Sequence, residues 1–503
     1  WYHMNVKQFF SHKRAFIIGG AVLLCICLIA CSVLIFSGKK QPEKTHYGIE
    51  AQYDPETQTV RGHMTLDYVN NSGATLEKLY LHLYPNAYAD ESSAPFLPED
   101  KSAFYPNGFS FGGIETDDIT LNGRDVPVHL EGTSNQLLCI EHALKNGRSA
   151  KIEMSFTLTL PESASRLGYS GELVSLGNWY PIMSVFENGA WRNEEYCRIG
   201  DPFYSEISDY TVRLTVPEKL IPAMSGKSVK ISSENGKNTW ECTSENIRDF
   251  ACVIGPFQTA TQTVGQTEVS VFFTGETGIG EQALNYACSA LEIYNRLFGE
   301  YPYKSYQVAA APLMQGGMEY PCLSMINSTY FTTGGMHRLE YTVAHETAHQ
   351  WWYGIVGSDP INDAWLDEGL ATYSSMLYYE PTKPEATARA YFKYYVSNSF
   401  RFARTDILQE NPNTNMQLSR PLQNFESNTV YEMLCYQKSA LMLQSLREQL
   451  GDSVFMEGMR SLCRDNRFSN LTKEKLAAAF SAQSKLPIDS IIDAWLNDRV
   501  ILP

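Results

Sequence analysis

Apolar and polar positions change their period three times along the chain. Residues 15–36 (AFIIGGAVLLCICLIACSVLIF) carry no charge and are bracketed by His12, Lys13 and Arg14 before and by Lys39 and Lys40 after. Past a polar stretch at 38–46 the pattern alternates every second residue. Segments 59–68, 76–84, 150–160 and 209–216 are apolar on one side and polar on the other, with turn clusters such as Asn70, Asn71, Ser72, Gly73 between them. Strands with one buried face have this period. After a last strand-like stretch at 268–274, apolar residues move to helical spacing: Ala283, Tyr286, Ala287, Ala290, Leu291 and Tyr294 predict a helix ending near Gly299. The same spacing recurs over 389–395, 439–450 and 476–496. The expected fold is therefore α+β and multidomain: an antiparallel β-sandwich over 47–262, then a mostly helical domain over 263–503 with a small sheet at its start.

The uncharged run has a separate meaning. At about 1.5 Å per residue, a helix of this length crosses a hydrocarbon core of about 30 Å. Residues 15–37 are expected to be a transmembrane signal anchor that places the lipid bilayer among the partners. Residues 1–14 would be a cytoplasmic tail, 38–46 a linker, and the body would lie outside the cytoplasm at the plasma membrane. Leu28, Ile29, Ala30 and Cys31 also resemble a lipoprotein processing box, with Cys31 as the lipid-bearing residue. The apolar residues that continue past Cys31 favour an uncleaved anchor. Flanking charge gives no orientation, because Lys7, Lys13 and Arg14 balance Lys39, Lys40 and Lys44. The chain starts at Trp1 with Met4 close behind, which leaves its true start open.

Composition adds exclusions. A content of 44% hydrophobic residues rules out disorder as the main state, and a net charge of -16 repels phosphate backbones, so no nucleic-acid partner is expected. Eight cysteines lie beyond the apolar run without C-x-x-C spacing, which argues against a thiolate metal site. Cys242 and Cys252 could face each other across a hairpin as a disulfide; scattered cysteines are otherwise buried apolar residues.

The chemistry concentrates in residues 342–354, TVAHETAHQWWYG. His345 and His349 are four apart, so on a helix both imidazoles leave one face and can share a metal ion, with Glu346 beside it. Eighteen residues separate His349 from Glu368, which lies on a second amphipathic segment (362–379) beyond a turn at Gly357, Ser358, Asp359 and Pro360. A helical hairpin would return Glu368 to the histidines. Two His and one carboxylate leave a fourth tetrahedral position open, as in a catalytic zinc site. Thr372, one turn after Glu368, is a candidate partner for a zinc ligand, and Trp351 and Trp352 read as core.

H-E-x-x-H, 18 residues and then Glu, within Trp365, Leu366, Asp367, Glu368, Gly369, resembles the thermolysin-like (gluzincin) zinc peptidases and specifically the aminopeptidase N family. Two further elements support the resemblance: Gly316, Gly317, Met318, Glu319, Tyr320 is similar to the G-x-M-E-N exopeptidase motif, and Tyr436, Gln437, Lys438, Ser439 to Y-x-K-G. Tyr320 stands where the family has Asn, and Ser439 where it has Gly.

The resemblance implies one Zn2+ per chain, held by His345, His349 and Glu368, and a membrane-tethered aminopeptidase acting on peptides with a free N-terminus. Glu346 would be the general base. Tyr436 would donate to the oxyanion, with Tyr431 as its rival five residues earlier. Glu319, with Gly316, Gly317 and Met318, would receive the substrate α-ammonium. Many relatives carry a further helical domain, so the cleft is expected to be more open here, or covered by a protein partner. An endopeptidase of the same chemistry and a noncatalytic binding or assembly module are the alternatives.

Overall fold

A computed structural model describes residues 44–482 and 484–500. The expected anchor at 15–37, the alternative lipid site at Cys31 and most of the linker lie outside the described residues. Among the described residues no helix is long and apolar enough to cross a membrane.

Period-two segments form the strands that the pattern predicts, but not one antiparallel sandwich. The largest sheet has eight strands in the order Ser228–Glu234, Lys237–Ile247, Ser208–Pro217, His46–Asp54, Thr59–Val69, Ser149–Thr159, Gly113–Leu121, Arg124–Asp125. Along Ser149–Thr159 burial alternates residue by residue, as one-sided packing requires. His46–Asp54 runs parallel to Ser208–Pro217, with Ile49 opposite Val212, so this sheet is mixed. Alternation marks a half-buried strand of either pairing sense, and the expectation of a purely antiparallel architecture is corrected here. Two four-stranded sheets and a two-stranded ribbon (Phe186–Glu187 with Ala190–Trp191) complete the β-rich half, and strands Leu137–Ile140 and Cys252–Gly255 of the four-stranded sheets are buried at every position. Cys242 and Cys252 belong to different sheets and both are free buried thiols, not a disulfide.

A five-stranded sheet opens the helical half in the order Gln258–Val264, Thr267–Phe273, Ser305–Ala311, Leu323–Asn327, Gly317–Met318. Its first hairpin begins at Gln258, paired with Phe273, so residues 258–262 belong to the sheet of the helical half. Helix Thr277–Phe298 ends at Gly299, whose φ of 110° suits a residue without Cβ. Residues 476–496 form two helices, Lys473–Ser481 and Ile488–Leu496, because Pro487 interrupts the spacing. From Thr45 onward the chain is one unit. Its apolar core runs without a break from Val60 in the β-rich half to Leu434 among the helices. A shared core holds the halves at a fixed separation, and the cleft lies at their junction.

Candidate active site

Helix Met336–Ala348, with His349 as its C-terminal cap, carries the two histidines; helix Trp365–Thr382 carries Glu368. Their alignment is fixed by buried polar ties. The Tyr294 hydroxyl donates to the carbonyls of Ala344 (2.9 Å) and Ser374 (3.2 Å), one on each helix, and Trp352 Nε1–H donates to Ser374 Oγ (2.9 Å). Trp351 and Trp352 are core residues, as the sequence implies.

This alignment brings three donor atoms together. His345 Nε2 lies 3.1 Å from His349 Nε2, and Glu368 Oε2 lies 3.4 and 3.3 Å from the two. Zinc bonds of about 2.0–2.1 Å in a tetrahedron demand ligand-to-ligand edges of roughly 3.3 Å. The three atoms therefore fit one face of a zinc tetrahedron. His349 Nδ1–H donates to the Trp352 carbonyl at 3.0 Å, which turns the Nε2 lone pair toward that face. Glu368 Oε2 is buried without a hydrogen-bond partner among the described residues, as expected of an oxygen placed for a cation.

Glu346 projects from the same helix and is 5% exposed. Gly317 explains its approach: a Cβ there would lie 2.4 Å from Glu346 Oε1, so only glycine lets the edge strand pass this close. Gly316 precedes it and accepts a backbone hydrogen bond from Asn327 (2.9 Å), while Met318 is buried beneath. Glu319 leaves the end of this strand into the cleft, and its carboxylate, that of Glu346 and a ring nitrogen of His349 lie within 4.8 Å of one another.

The Tyr436 hydroxyl donates to Glu368 Oε1 at 2.6 Å, and its ring stacks against His345 at 5.7 Å. Tyr431 packs edge-on against Tyr436 (5.8 Å) and Phe425 (5.4 Å). Tyr436 lies in a π-helical turn, Met433–Lys438, where the wider coil brings residues five apart onto neighbouring faces. Lys438 points away from the cleft and pairs with Asp498 (2.7 Å). Ser439 packs against Gly369, where a Cβ would meet the Ser439 Cβ at 2.4 Å. Thr372 is buried, and neither its Oγ1 nor His345 Nδ1 has a hydrogen-bond partner among the described residues, so the expected second ligand contact is not made directly.

Two functional candidates come from the β-rich half and were not apparent in the sequence. Asp201 brings a carboxylate within 4.8 Å of those of Glu319 and Glu368, and Arg166 pairs with it. Tyr320, in place of Asn, is fully buried and donates to Asn178 Oδ1 at 2.8 Å, anchoring the segment after Glu319 to the β-rich half. The cleft has a volume of about 660 Å³, with Phe96, Asp100, Arg166 and Asp201 on one side and Tyr341, Tyr395, Tyr431 and Tyr436 on the other.

Electrostatics separate the carboxyl groups. Burial pushes the Glu346 carboxyl up to about 8, with His349 opposing and Glu368 adding to the shift. Burial likewise raises Glu319 well above the ordinary range. Burial opposes ionisation of Glu368 too, but the attraction of the adjacent His345 and His349 imidazoles outweighs it and holds that carboxyl at about 2. One carboxylate is thus kept as an anion beside the ring nitrogens, and its neighbours are poised to take or hold protons.

The converging His-His-Glu donors, the adjacent buried carboxyl and the open side of the cleft fit a catalytic zinc site. Residues 282–495 match the peptidase family M1 domain. Aminopeptidase 2 of Candida albicans is 24% identical over 320 residues, 60% of this chain and 34% of that protein. Aminopeptidase N of Lactococcus lactis is 24% identical over 442 residues, 80% of this chain and 51% of that protein. The chain thus spans between a third and a half of the length of these curated relatives. The M1 zinc metallopeptidase of Deinococcus radiodurans shares the fold, with a TM-score of 0.64 at 21% identity over 93% of this chain and 96% of that one. A mutant of that enzyme, solved with a Tyr-Ser-Ala substrate, matches with a TM-score of 0.65 at 20% identity, covering 92% and 96% of the two chains. Residues 282–495 thus carry the peptidase family M1 domain, and the chain is similar to aminopeptidases that contain it.

Proposed function

We propose that the protein is a zinc-dependent aminopeptidase that releases the N-terminal residue of peptides. One observation carries the reading: Glu319 and Asp201 set two carboxylates next to the His345, His349 and Glu368 cluster. In such a place an α-ammonium group is held and the first peptide bond lies over the donor triad. Zinc, when held by His345, His349 and Glu368, supplies a Lewis acid that polarises the scissile carbonyl and eases deprotonation of water. Glu346 accepts a proton from the attacking water on a carboxylate oxygen and passes it to the leaving amine. The Tyr436 hydroxyl, within reach of the triad through Glu368, is the donor for the oxyanion. The Deinococcus enzyme solved with a tripeptide substrate supports a peptide as ligand.

Residues 15–37 are proposed to tether this activity to the plasma membrane, with the catalytic body outside the cytoplasm. The length and cationic flanks of the uncharged run support that reading, and membrane fractionation before and after deletion of 1–44 tests it.

Cleavage of a free peptide and its N-acetylated twin tests the activity. Loss of the free substrate's first residue only, with the acetylated peptide intact, is expected. Equal cutting of both would make the protein an endopeptidase, and cutting of neither by zinc-loaded protein would leave a binding module.

A further inference from the structure

The two candidate histidine ligands are held in different ways. His349 is oriented through its second nitrogen, which donates to the Trp352 carbonyl. The corresponding nitrogen of His345 is buried and has no hydrogen-bond partner among the described residues. Rings flank the His345 imidazole instead. Tyr436 lies 5.7 Å away at an interplanar angle of 12°, and Tyr341 lies 6.0 Å away at 24°. Tyr341 is in turn stacked on Tyr395 at 4.1 Å and 10°. The result is a series of near-parallel ring contacts, Tyr436 to His345, His345 to Tyr341 and Tyr341 to Tyr395, that includes one candidate metal ligand.

Local structure explains how these contacts form. Tyr341 precedes His345 by four residues on one helix, so its side chain lies over the same face one turn away. Tyr395 and Tyr436 each sit in a π-helical turn, Lys393–Asn398 and Met433–Lys438. The additional residue in such a turn re-aims side chains that regular helical spacing would direct elsewhere. Near-parallel offset rings within about 7 Å attract one another and resist rotation about the imidazole's χ2. A ligand ring free to turn would spend time with Nε2 directed off the metal, so orientation contributes to affinity.

We infer that Tyr341, backed by Tyr395, is a positioning residue that fixes the His345 imidazole by ring stacking, in the role that a hydrogen bond to the Trp352 carbonyl serves for His349. The inference rests on the zinc reading of the triad, and it assigns the work to the Tyr341 ring, not to its hydroxyl. A hydroxyl route through Thr372 is the competing structural account, because Thr372 Oγ1 is buried nearby without a hydrogen-bond partner among the described residues.

Zinc affinity, measured on the folded chain by competition with a chromophoric chelator, separates these accounts. Tyr341→Phe keeps the ring and is expected to stay within about twofold of wild type, whereas Tyr341→Leu should weaken zinc by about 10- to 100-fold, as loss of an outer partner of a ligand does. Tyr395→Leu, which removes a ring that touches no ligand, should give a smaller loss in the same direction. Cobalt substitution supplies a second readout: the visible d–d bands should shift in Tyr341→Leu and remain in place in Tyr341→Phe. Equal loss in the Phe and Leu variants, or a loss in Thr372→Val matching that of Tyr341→Leu, would overturn the stacking role. Wild-type protein that binds no zinc would instead remove the reading beneath it. Thermal unfolding of the zinc-free variants guards against a folding defect, and an unchanged affinity in a folded Tyr341→Leu protein also rejects the inference.

Discussion

The wall of the cleft built by the His and Glu helices and the wall supplied by the β-rich half differ in how their parts are spaced along the chain. On the first wall, His345, Glu346 and His349 occupy five consecutive positions, and Glu368 comes one turn and one helix later. On the second, Arg166 and Asp201 are 35 residues apart and meet Glu319 only through the packing of two halves on one core. Local spacing fixes what the first wall can do, while tertiary packing fixes how substrate lies against it. The walls should therefore fail differently when altered: the first by losing chemistry in a stable protein, the second by losing stability or substrate orientation.

The largest effect that would sharpen this contrast lies at Glu319. Glu319→Gln keeps the shape but removes the carboxyl that an arriving α-ammonium would ionise and pair with, so kcat/KM for free-amine peptides should drop by about 10²–10³ with zinc content unchanged. Asp201→Asn should cost less, because Arg166 already balances that carboxylate. The reverse ranking in steady-state kinetics would place the amine on the β-rich wall.

A second test concerns acid stability. His82 is 2% exposed, and its Nε2–H donates to the Arg192 carbonyl at 3.0 Å. Burial pushes its pKa down to about 4 against that hydrogen bond. A folded pKa below the unfolded value of about 6.5 means that the unfolded chain binds the proton first, so stability is full above pH 6.5 and is lost as pH falls toward 4. The difference corresponds to about 3 kcal/mol. His82→Phe should flatten denaturant-derived stability across that window without a change in zinc binding, and an unaltered slope would remove His82 from the account.

A smaller effect is expected at Gly177. A Cβ there would lie 2.0 Å from the Tyr320 hydroxyl and 2.8 Å from the Arg166 carbonyl oxygen. Gly177→Ala should destabilise the fold by about 1–3 kcal/mol and raise KM more than it lowers kcat, since it displaces the segment that carries Glu319. Wild-type stability in urea would show that Tyr320 does not bind the two walls together there.

Much of the first wall was legible in the sequence because helical geometry converts spacing directly into direction. The i, i+4 histidines and the returning Glu368 needed no knowledge of the rest of the fold. Gly317 was visible as part of a motif, but its reason, the close passage beside Glu346, belongs to three dimensions. Tyr436 and Tyr431 could not be ordered by spacing alone, since a π-helical turn alters which residues share a face. Asp201 and Arg166 carried no periodic or local signal. The parallel pairing of His46–Asp54 with Ser208–Pro217 was equally silent, because a one-faced strand alternates in the same way whichever direction its neighbour runs.

The central claim is that Glu346 moves the proton while His345, His349 and Glu368 hold zinc, and one variant tests it most directly. Glu346→Gln preserves size and the Gly317 contact but removes the base. Zinc per chain and the rate of aminoacyl reporter hydrolysis should be measured on the same preparations of wild type and variant. The account predicts one zinc retained in both and a rate lower by about 10²–10⁴ in the variant. Unchanged hydrolysis with zinc in place would contradict it.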